Sequence, residues 1–198
     1  MNDKKVLLAS NNKGKINEIK EIFKDATVFS ISEIEKIIGK KIIVTEDYDT
    51  YEENALSKVK DLYNYVGEDY ILIGDDSGLS IDALDGFPGV HTARWIDEDD
   101  HTKNVLLLDK LKNEENRTCH YTTVISLKYK NLEKVFSATI DGNISTNFRG
   151  DNGFGFDEIF ELDNGKTLAE IDILEKLKIS PRTKALEKLK DYIESNNI

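Results

Sequence analysis

Lys5 to Ala9 form a short apolar run that stops abruptly at a polar loop, Ser10-Asn11-Asn12-Lys13-Gly14. Beyond the loop, Ile16, Ile19, Ile22 and Phe23 recur at helical spacing and make one apolar face. A buried strand, a tight polar loop and an amphipathic helix, in that order, predict an α/β fold whose helices cover a sheet. The rest of the chain repeats this alternation. Short strands are expected near Thr27 to Ile31 and Lys41 to Val44, and a helix from about Tyr51 to Tyr65, striped by Ala55, Val59, Leu62 and Val66. Tyr70 to Ile73 reads as a buried strand ending at Gly74-Asp75-Asp76-Ser77-Gly78. Asn104 to Leu111 is helical in pattern. Tyr121 to Tyr129 and Val135 to Ile140 read as the two arms of a long hairpin, and a last helix runs from about Arg182 to Ser195.

No repeat, low-complexity tract or Pro- or Gly-rich linker divides these elements. The 198 residues are therefore expected to form a single domain spanning 1–198, bent around a cleft. The charge balance narrows the function classes. Thirty-eight acidic against 27 basic residues give a net charge of −11, which repels a polyphosphate backbone and argues against nucleic acid as a partner. A small anion remains suitable if basic residues gather in one place. A single cysteine, Cys119, forms no internal disulfide and fits a reducing compartment. The apolar run near the start is too short for a signal peptide or a membrane span, so the expectation is a soluble, cytoplasmic protein with no membrane partner.

Two segments at strand ends could carry chemistry. Ser10 to Lys15 sits where a helix begins. Such a position offers backbone N–H groups and a partial positive charge to a phosphate, and Lys13 and Lys15 add charge. The P-loop spacing is absent, and an ordinary strand-to-helix turn with solvated lysines has the same composition. Asp75-Asp76-Ser77-Gly78 offers adjacent carboxylates, the hard oxygen ligands that Mg²⁺ takes, and one of them could deprotonate a water. The competing reading is an Asx turn. The acidic run Glu46, Asp47, Asp49, Glu52 and Glu53 suits a solvated face, with one member available to a metal. Asn54 and Lys58 are four apart and share a helical face. Gly153-Phe154-Gly155-Phe156-Asp157 could stack a base or simply be a tight turn pinned by phenylalanines. His91, His101 and His120 have no metal-ligand spacing and read as structural or solvated.

Taken in order along the chain, these segments resemble the inosine triphosphate pyrophosphatase family, the XTP/dITP diphosphatases often described as house-cleaning enzymes. The matching blocks are Leu8-Ala9-Ser10-Asn11-Asn12-Lys13-Gly14-Lys15, Tyr51-Glu52-Glu53-Asn54-Ala55 and Asp75-Asp76-Ser77-Gly78-Leu79. Phe87-Pro88-Gly89-Val90 leading to Ala93-Arg94, then Gly153 to Asp157, and Gly165-Lys166-Thr167 through to Arg182, complete the match from about Val6 to Leu189.

The resemblance implies an elongated mixed β-sheet with flanking helices, two lobes around a central cleft, and a homodimer. It implies a Mg²⁺-dependent enzyme that splits ITP, dITP or XTP into monophosphate and pyrophosphate. By the same resemblance Ser10, Asn11, Asn12, Lys13, Gly14 and Lys15 hold the triphosphate. Glu46 and Asp76 bind Mg²⁺, with Asp75 a further candidate ligand; Asp76 also accepts the proton of the attacking water, and Lys58 assists. Ser77, Phe154, Gly155, Phe156, Asp157, Lys176, Pro181 and Arg182 line the base and sugar. One position departs from the family: a His-Arg pair is usual where this chain has Pro181-Arg182. The expected consequence is a narrower preference for 6-oxo purines. Two rival readings accompany this one: the same fold and reaction with broader or different substrates, and a nucleotide-binding regulator without catalysis.

Overall fold

The computed structural model describes residues 4–198. The chain forms two compact units. The first comprises the chain up to Asp76, Thr123–Ala138 and Arg182–Ile198; the second comprises Ser77–Thr122 and Thr139–Pro181.

In the first unit β1 (Lys5–Leu8) pairs in parallel with β2 (Thr27–Phe29) and with the start of β3 (Ile71–Ile81), so that Val6 lies opposite Val28 and Ile71. Both faces of this sheet are covered, which is why β1 reads as a continuous apolar run. Val6, Leu8, Ile71 and Ile73 pack with Ile19 of α1 (Lys13–Ile22) and with Leu186 and Leu189 of α6 (Pro181–Ser195). Leu7, Ala9 and Leu72 pack on the other side, against Ile34 of α2 (Ile31–Ile38) and Val59 and Leu62 of α3 (Tyr51–Val66). Leu7, Leu8, Leu72 and Ile73 are wholly buried. Each such side chain contributes about 1.5–3 kcal/mol relative to exposure.

Three expectations are corrected in this unit. The strand expected to Ile31 stops at Phe29, and Ile31 opens α2. Ser30 caps that helix in a reciprocal capping box with Glu33, which satisfies two backbone donors at once. No strand forms over residues 41–44. Its main-chain donors go to side chains instead of a neighbouring strand: Ile42 N–H to Glu35 Oε1 at 2.8 Å, Ile43 N–H to the Tyr65 hydroxyl at 3.4 Å, and Thr45 N–H to Asp61 Oδ2 at 2.7 Å. Finally, β3 does not end at Gly74 but continues through Asp75, Asp76, Ser77 and Gly78 to Ile81. Gly74 fits mid-strand because the space of a side chain is already filled. A Cβ there would lie 2.2 Å from Ala55 O and 2.4 Å from Ser126 Oγ, two atoms that are themselves hydrogen-bonded at 2.6 Å.

The second unit holds the end of β3, α4 (Asp100–Lys110), β6 (Phe160–Glu161), α5 (Ile173–Ile179) and the distal parts of β4 (Thr118–Tyr129) and β5 (Leu132–Ile144). Its core is Leu79, Ile81, Leu107, Leu111, Ile140, Ile144, Phe160 and Ile171 with their neighbours. The six strands follow the order β2-β1-β3-β4-β5-β6, and β5 pairs antiparallel with β6, so the sheet is mixed. The expected hairpin is present with longer arms, joined at Lys130 and Asn131. α4 begins four residues before the expected Asn104 because Asp99 caps it, its side chain accepting from Thr102 N–H at 2.7 Å. Among the described residues no helix is long and apolar enough to cross a membrane.

Candidate active site

In the first unit the loop after β1 is fixed by its own side chains. Ser10 Oγ accepts from Asn12 N–H at 3.1 Å, and Asn11 Oδ1 accepts from Ser32 N–H at 2.8 Å. Asn12 is the N-cap of α1, taking the Lys15 N–H on Oδ1 at 3.1 Å. Lys13 and Gly14 thus form the first turn of α1, the part of a helix whose N–H groups have no partner within the helix. The Ser10 to Lys15 segment is therefore a helix N-terminus bearing two lysines.

Lys15 leads from that turn to β3. Its ammonium ion-pairs with Asp75 Oδ1 and lies 3.4 Å from the Asp75 carbonyl oxygen. The other carboxylate oxygen of Asp75 takes Arg182 Nε at 2.6 Å, and Arg182 Nη1 reaches Glu18 Oε2 at 3.0 Å. Burial alone would raise the Asp75 pKa, but the charges of Arg182 and Lys15 outweigh it and hold the carboxyl well below the usual carboxylate range. Lys15 shifts the other way: burial and the nearby charges of Arg182 and Lys58 lower its pKa despite Asp75. Two expectations are modified here. Asp75, a further candidate metal ligand by sequence, faces two cations with its side chain wholly buried. Arg182, expected at the base and sugar, is 2% exposed and bonded to Asp75 and Glu18.

The second carboxylate has a different environment. Lys58, buried on α3, donates to the Asp75 carbonyl oxygen at 3.0 Å and to Asp76 Oδ1 at 3.1 Å, and it ion-pairs with Glu46. One ammonium thus joins the two carboxylates that the resemblance assigned to Mg²⁺. Asp76 Oδ2 is buried with no hydrogen-bond partner among the described residues. Burial raises the Asp76 pKa above the ordinary aspartate value in spite of Lys58 and Lys15. Lys58 remains charged, because Asp76 and Glu46 overcome the effect of its burial and raise its pKa.

Glu46 lies on the segment that failed to form a strand, and side chains of α3 hold that segment on both sides of it. Ser57 Oγ donates to Thr45 O at 2.6 Å, while Asn54 accepts from Tyr48 N–H at 3.0 Å and donates to Tyr48 O at 3.1 Å. Asn54, Ser57, Lys58 and Asp61 fall at i, i+3, i+4 and i+7, one polar face of the helix. Sequence reading had noticed Asn54 and Lys58 but missed Ser57 and Asp61; the polar stripe at helical spacing was the available signal. Glu52 and Glu53 belong to the first turn of α3 behind its Thr50 cap, as a solvated acidic run would.

The second unit contains Ser77, the Phe154 to Asp157 loop, Lys176 and Pro181. Ser77 follows Asp76 on β3 and is half-buried. Asp157 organises the loop: Oδ2 accepts from Phe154 N–H at 2.7 Å and ion-pairs with Lys176. Gly153, at φ +90°, leaves room for that carboxylate, since a Cβ would sit 2.0 Å from Oδ2. The Lys176 ammonium also lies 4.7 Å from the centre of the Phe154 ring, within cation–π range. Pro181 is buried and is the first residue of α6. His101 stacks on Phe148, and His120 lies between Asp141 and Asp82; among the described residues no group of three or more His, Cys, Asp or Glu side chains is arranged so that it could hold a metal ion.

The first unit thus brings together a helix N-terminus with lysines, one carboxylate held between cations and a second with an oxygen that has no hydrogen-bond partner among the described residues, an arrangement chemically able to accept an anion. The chain belongs to the Ham1 family, whose pattern matches residues 6–192. It is 40% identical over 196 residues to a dITP/XTP pyrophosphatase of Thermoanaerobacter sp. (strain X514), covering 96% of each chain. It is 38% identical over 197 residues to a dITP/XTP pyrophosphatase of Staphylococcus aureus (strain MW2), covering 98% of each. Among solved structures it matches the Staphylococcus aureus Ham1 protein with a TM-score of 0.85 and 36% identity, over 98% of this chain and 100% of that one. A HAM1 protein from Coxiella burnetii gives the same TM-score at 29% identity, over 97% and 99% of the two chains.

Proposed function

We propose that this protein hydrolyses nonstandard purine nucleoside triphosphates, ITP, dITP and XTP, to the monophosphate and pyrophosphate, and so cleanses the nucleotide pool. The observation that carries this reading is the pairing of Asp76, buried with one oxygen unbonded and its pKa raised, with Lys58. Full-length similarity to proteins named dITP/XTP pyrophosphatase supports the substrate class.

In this mechanism the α1 N-terminus and Lys15 bind the phosphates, and Asp76 takes the proton of a water attacking the α-phosphorus. A carboxylate with a raised pKa is a stronger base than an ordinary aspartate, which suits it to that task near neutral pH. Lys58, already turned toward Asp76 and Glu46, stabilises negative charge that develops on the phosphates. The donor chemistry fits Mg²⁺: the unbonded Asp76 Oδ2 and the half-exposed Glu46 carboxylate are the hard oxygens that would hold it. Mg²⁺, when bound there, would neutralise phosphate charge. Phe154, Phe156 and Lys176 face the base, and the Phe156 N–H is the loop donor left to discriminate a 6-oxo acceptor from a 6-amino donor, since those of Phe154, Gly155 and Asp157 go to Asp157, Asp100 and the Phe154 carbonyl. A nucleotide-binding regulator without catalysis is disfavoured, because binding alone has no use for a buried base. A homodimer, from the family resemblance, and a cytoplasmic location, from the single cysteine and the short opening apolar run, belong to the same proposal.

The test is a pyrophosphate-release assay over a panel of ITP, dITP, XTP, ATP and GTP, with and without Mg²⁺. Faster release from the first three, dependent on Mg²⁺, is the expected result. Equal rates on all five would leave a general triphosphate pyrophosphatase, and no release from any would leave only binding.

A further inference from the structure

Gly155 separates the two phenylalanines of the loop and sits at φ +66°, in the left-handed region. With Gly153 at φ +90°, two of three consecutive residues have backbones that other residues rarely adopt. Asp157 fixes the first of these through the Phe154 N–H. The second is fixed from outside the loop. Gly155 N–H donates to Asp100 Oδ2 at 3.0 Å, and Gly155 C=O accepts from Asn104 Nδ2 at 2.9 Å. Asp100 and Asn104 are one turn apart on α4 and so lie on one face of it. Both hydrogen-bonding groups of one glycine are therefore held by one helix.

That helix is a firm support. Leu107, one turn beyond Asn104, is wholly buried in the core of the second unit, as is Leu111 just past the helix. Asp99 caps the N-terminus, and Lys103 Nζ donates to Ala93 O at 3.0 Å. Asn104 itself is 1% exposed, and its Oδ1 is buried with no hydrogen-bond partner among the described residues. An amide with one half unsatisfied is a costly choice beside two core leucines, where an apolar residue would avoid that cost. What the amide supplies is its donor to Gly155.

We infer that Asp100 and Asn104 form a two-point clamp on the Gly155 peptide and are positioning residues for base recognition. The inference rests on the reading of the Phe154 to Asp157 loop as the base site. The peptide groups on either side of Gly155 carry Phe154 and Phe156. Fixing their orientation fixes where the two rings stand and where the Phe156 N–H points before substrate arrives, so less ordering is left for binding. Neither residue is asked to touch the phosphates or the attacking water.

The experiment compares wild type with Asp100→Ala, Asp100→Asn and Asn104→Ala. Each is assayed for KM and kcat with ITP, for inhibition by IMP and by inorganic tripolyphosphate, and for Tm. Asp100 is exposed, so its variants keep the fold even if Asn104→Ala is destabilised. Losing one hydrogen bond should raise the ITP KM and the IMP inhibition constant roughly three- to tenfold. The tripolyphosphate constant should stay at the wild-type value and kcat within about twofold of it, because the phosphate site is untouched. Asp100→Asn, which keeps an acceptor oxygen, should recover most of the IMP affinity. An unchanged IMP constant in Asp100→Ala overturns the clamp, and so does a parallel weakening of IMP and tripolyphosphate that tracks loss of Tm. If wild type prefers ITP to ATP and the variants do not move, the clamp alone is wrong. If wild type shows no such preference, the base-site reading fails and the clamp with it.

Discussion

Asp75 and Asp76 are neighbours on β3 whose carboxylates meet opposite layers of the first unit: Asp75 meets Lys15 of α1 and Arg182 of α6, and Asp76 meets Lys58 of α3. Successive strand residues point to opposite faces, so two adjacent aspartates reach two different helical layers. Their pKa values move in opposite directions as a result, down for Asp75 and up for Asp76. One carboxylate is held in a network of charges, and the other is the one that the proposed mechanism uses to move a proton.

Substitution by asparagine should separate these tasks. Asp75→Asn leaves Lys15 and Arg182 facing a neutral group in a buried setting, and breaking such a pair costs about 3–5 kcal/mol. A large fall in Tm is expected. Asp76→Asn removes a charge that burial disfavours, so Tm should hold or rise, while turnover falls by roughly 10²-fold or more with the loss of a general base. Thermal unfolding and ITP turnover on both variants decide it. A rate loss below about tenfold in Asp76→Asn removes Asp76 from the base role, because general base catalysis is typically worth more.

The pH dependence follows from the same directions. Asp76 must be ionised to accept a proton, so kcat/KM should rise with pH through a midpoint above the ordinary aspartate value. Lys15 must be protonated to bind phosphate, and its pKa is lowered by burial, so an alkaline fall should begin below the ordinary lysine range. Stability has its own signs. The depressed Asp75 contributes stability above its unfolded pKa that is lost as pH falls through its folded value. The raised Asp76 does the reverse: its contribution is complete below its unfolded pKa and is lost as pH rises through the folded one. A pH–rate profile with no acid limb above the ordinary aspartate range would contradict the Asp76 assignment.

Asn54 offers a test of the Glu46 segment. It clamps Tyr48 through both its amide oxygen and its nitrogen, two residues beyond Glu46. Asn54→Ala should free that segment and raise the Mg²⁺ concentration needed for half-maximal rate several-fold, with the rate at saturating Mg²⁺ changed much less. Titration of activity against Mg²⁺ reads this directly. An unchanged Mg²⁺ requirement would mean that Glu46 is placed by its contact with Lys58 alone.

Much of this arrangement was legible in the sequence. Apolar runs and helical stripes gave β1, α1, α3 and α6, because those elements bury whole faces and their periodicity records it. Lys58 and Asp76 were marked chiefly by the family resemblance: the residues alone showed a lysine sharing a helical face with Asn54 and a pair of carboxylates at a strand end. α2 was hidden because Ile31 continued an apparent strand, although Ser30 and Glu33 carried the capping-box signature. Ile42, Ile43 and Val44 are β-branched and apolar, yet the helices that supply hydrogen-bond partners to Ile42 and Ile43 lie on both sides of them in the chain, a non-local fact that no window contains. β3 through Asp75 and Asp76 reads as a turn by composition; its place in the sheet between β1 and β4, a non-local pairing, makes it a strand, and Gly74 leaves room there for Ala55 and Ser126. The Asp100 and Asn104 bonds to Gly155 span 55 and 51 residues, and nothing local marks them.

Pro181 stands where the resemblance leads one to expect a histidine, and the structure sharpens what that difference should do. Pro181 opens α6, the position where a proline's fixed φ suits the helix and its missing N–H leaves nothing unpaired. Arg182 is delivered into the buried pair with Asp75 and Glu18, so the helix start and the Asp75 network do not depend on a histidine side chain. The Phe154 to Asp157 loop also keeps its own supports in Asp157 and Lys176. What a histidine would add is one side-chain contact to the base, worth about 0.5–1.5 kcal/mol net, or roughly 2- to 13-fold in selectivity. The unmodified protein should therefore prefer ITP, dITP and XTP to ATP and GTP, but by a narrow margin. Pro181→His should widen the ITP-to-ATP ratio of kcat/KM within that range. Its Tm should fall only slightly, since giving up a proline in a compatible conformation costs about 0.4–1 kcal/mol. The two ratios, measured side by side, decide it: an unmodified protein that turns over ATP as fast as ITP has no nonstandard-purine preference, and a Pro181→His variant with an unchanged ratio shows that the base is selected by the loop alone.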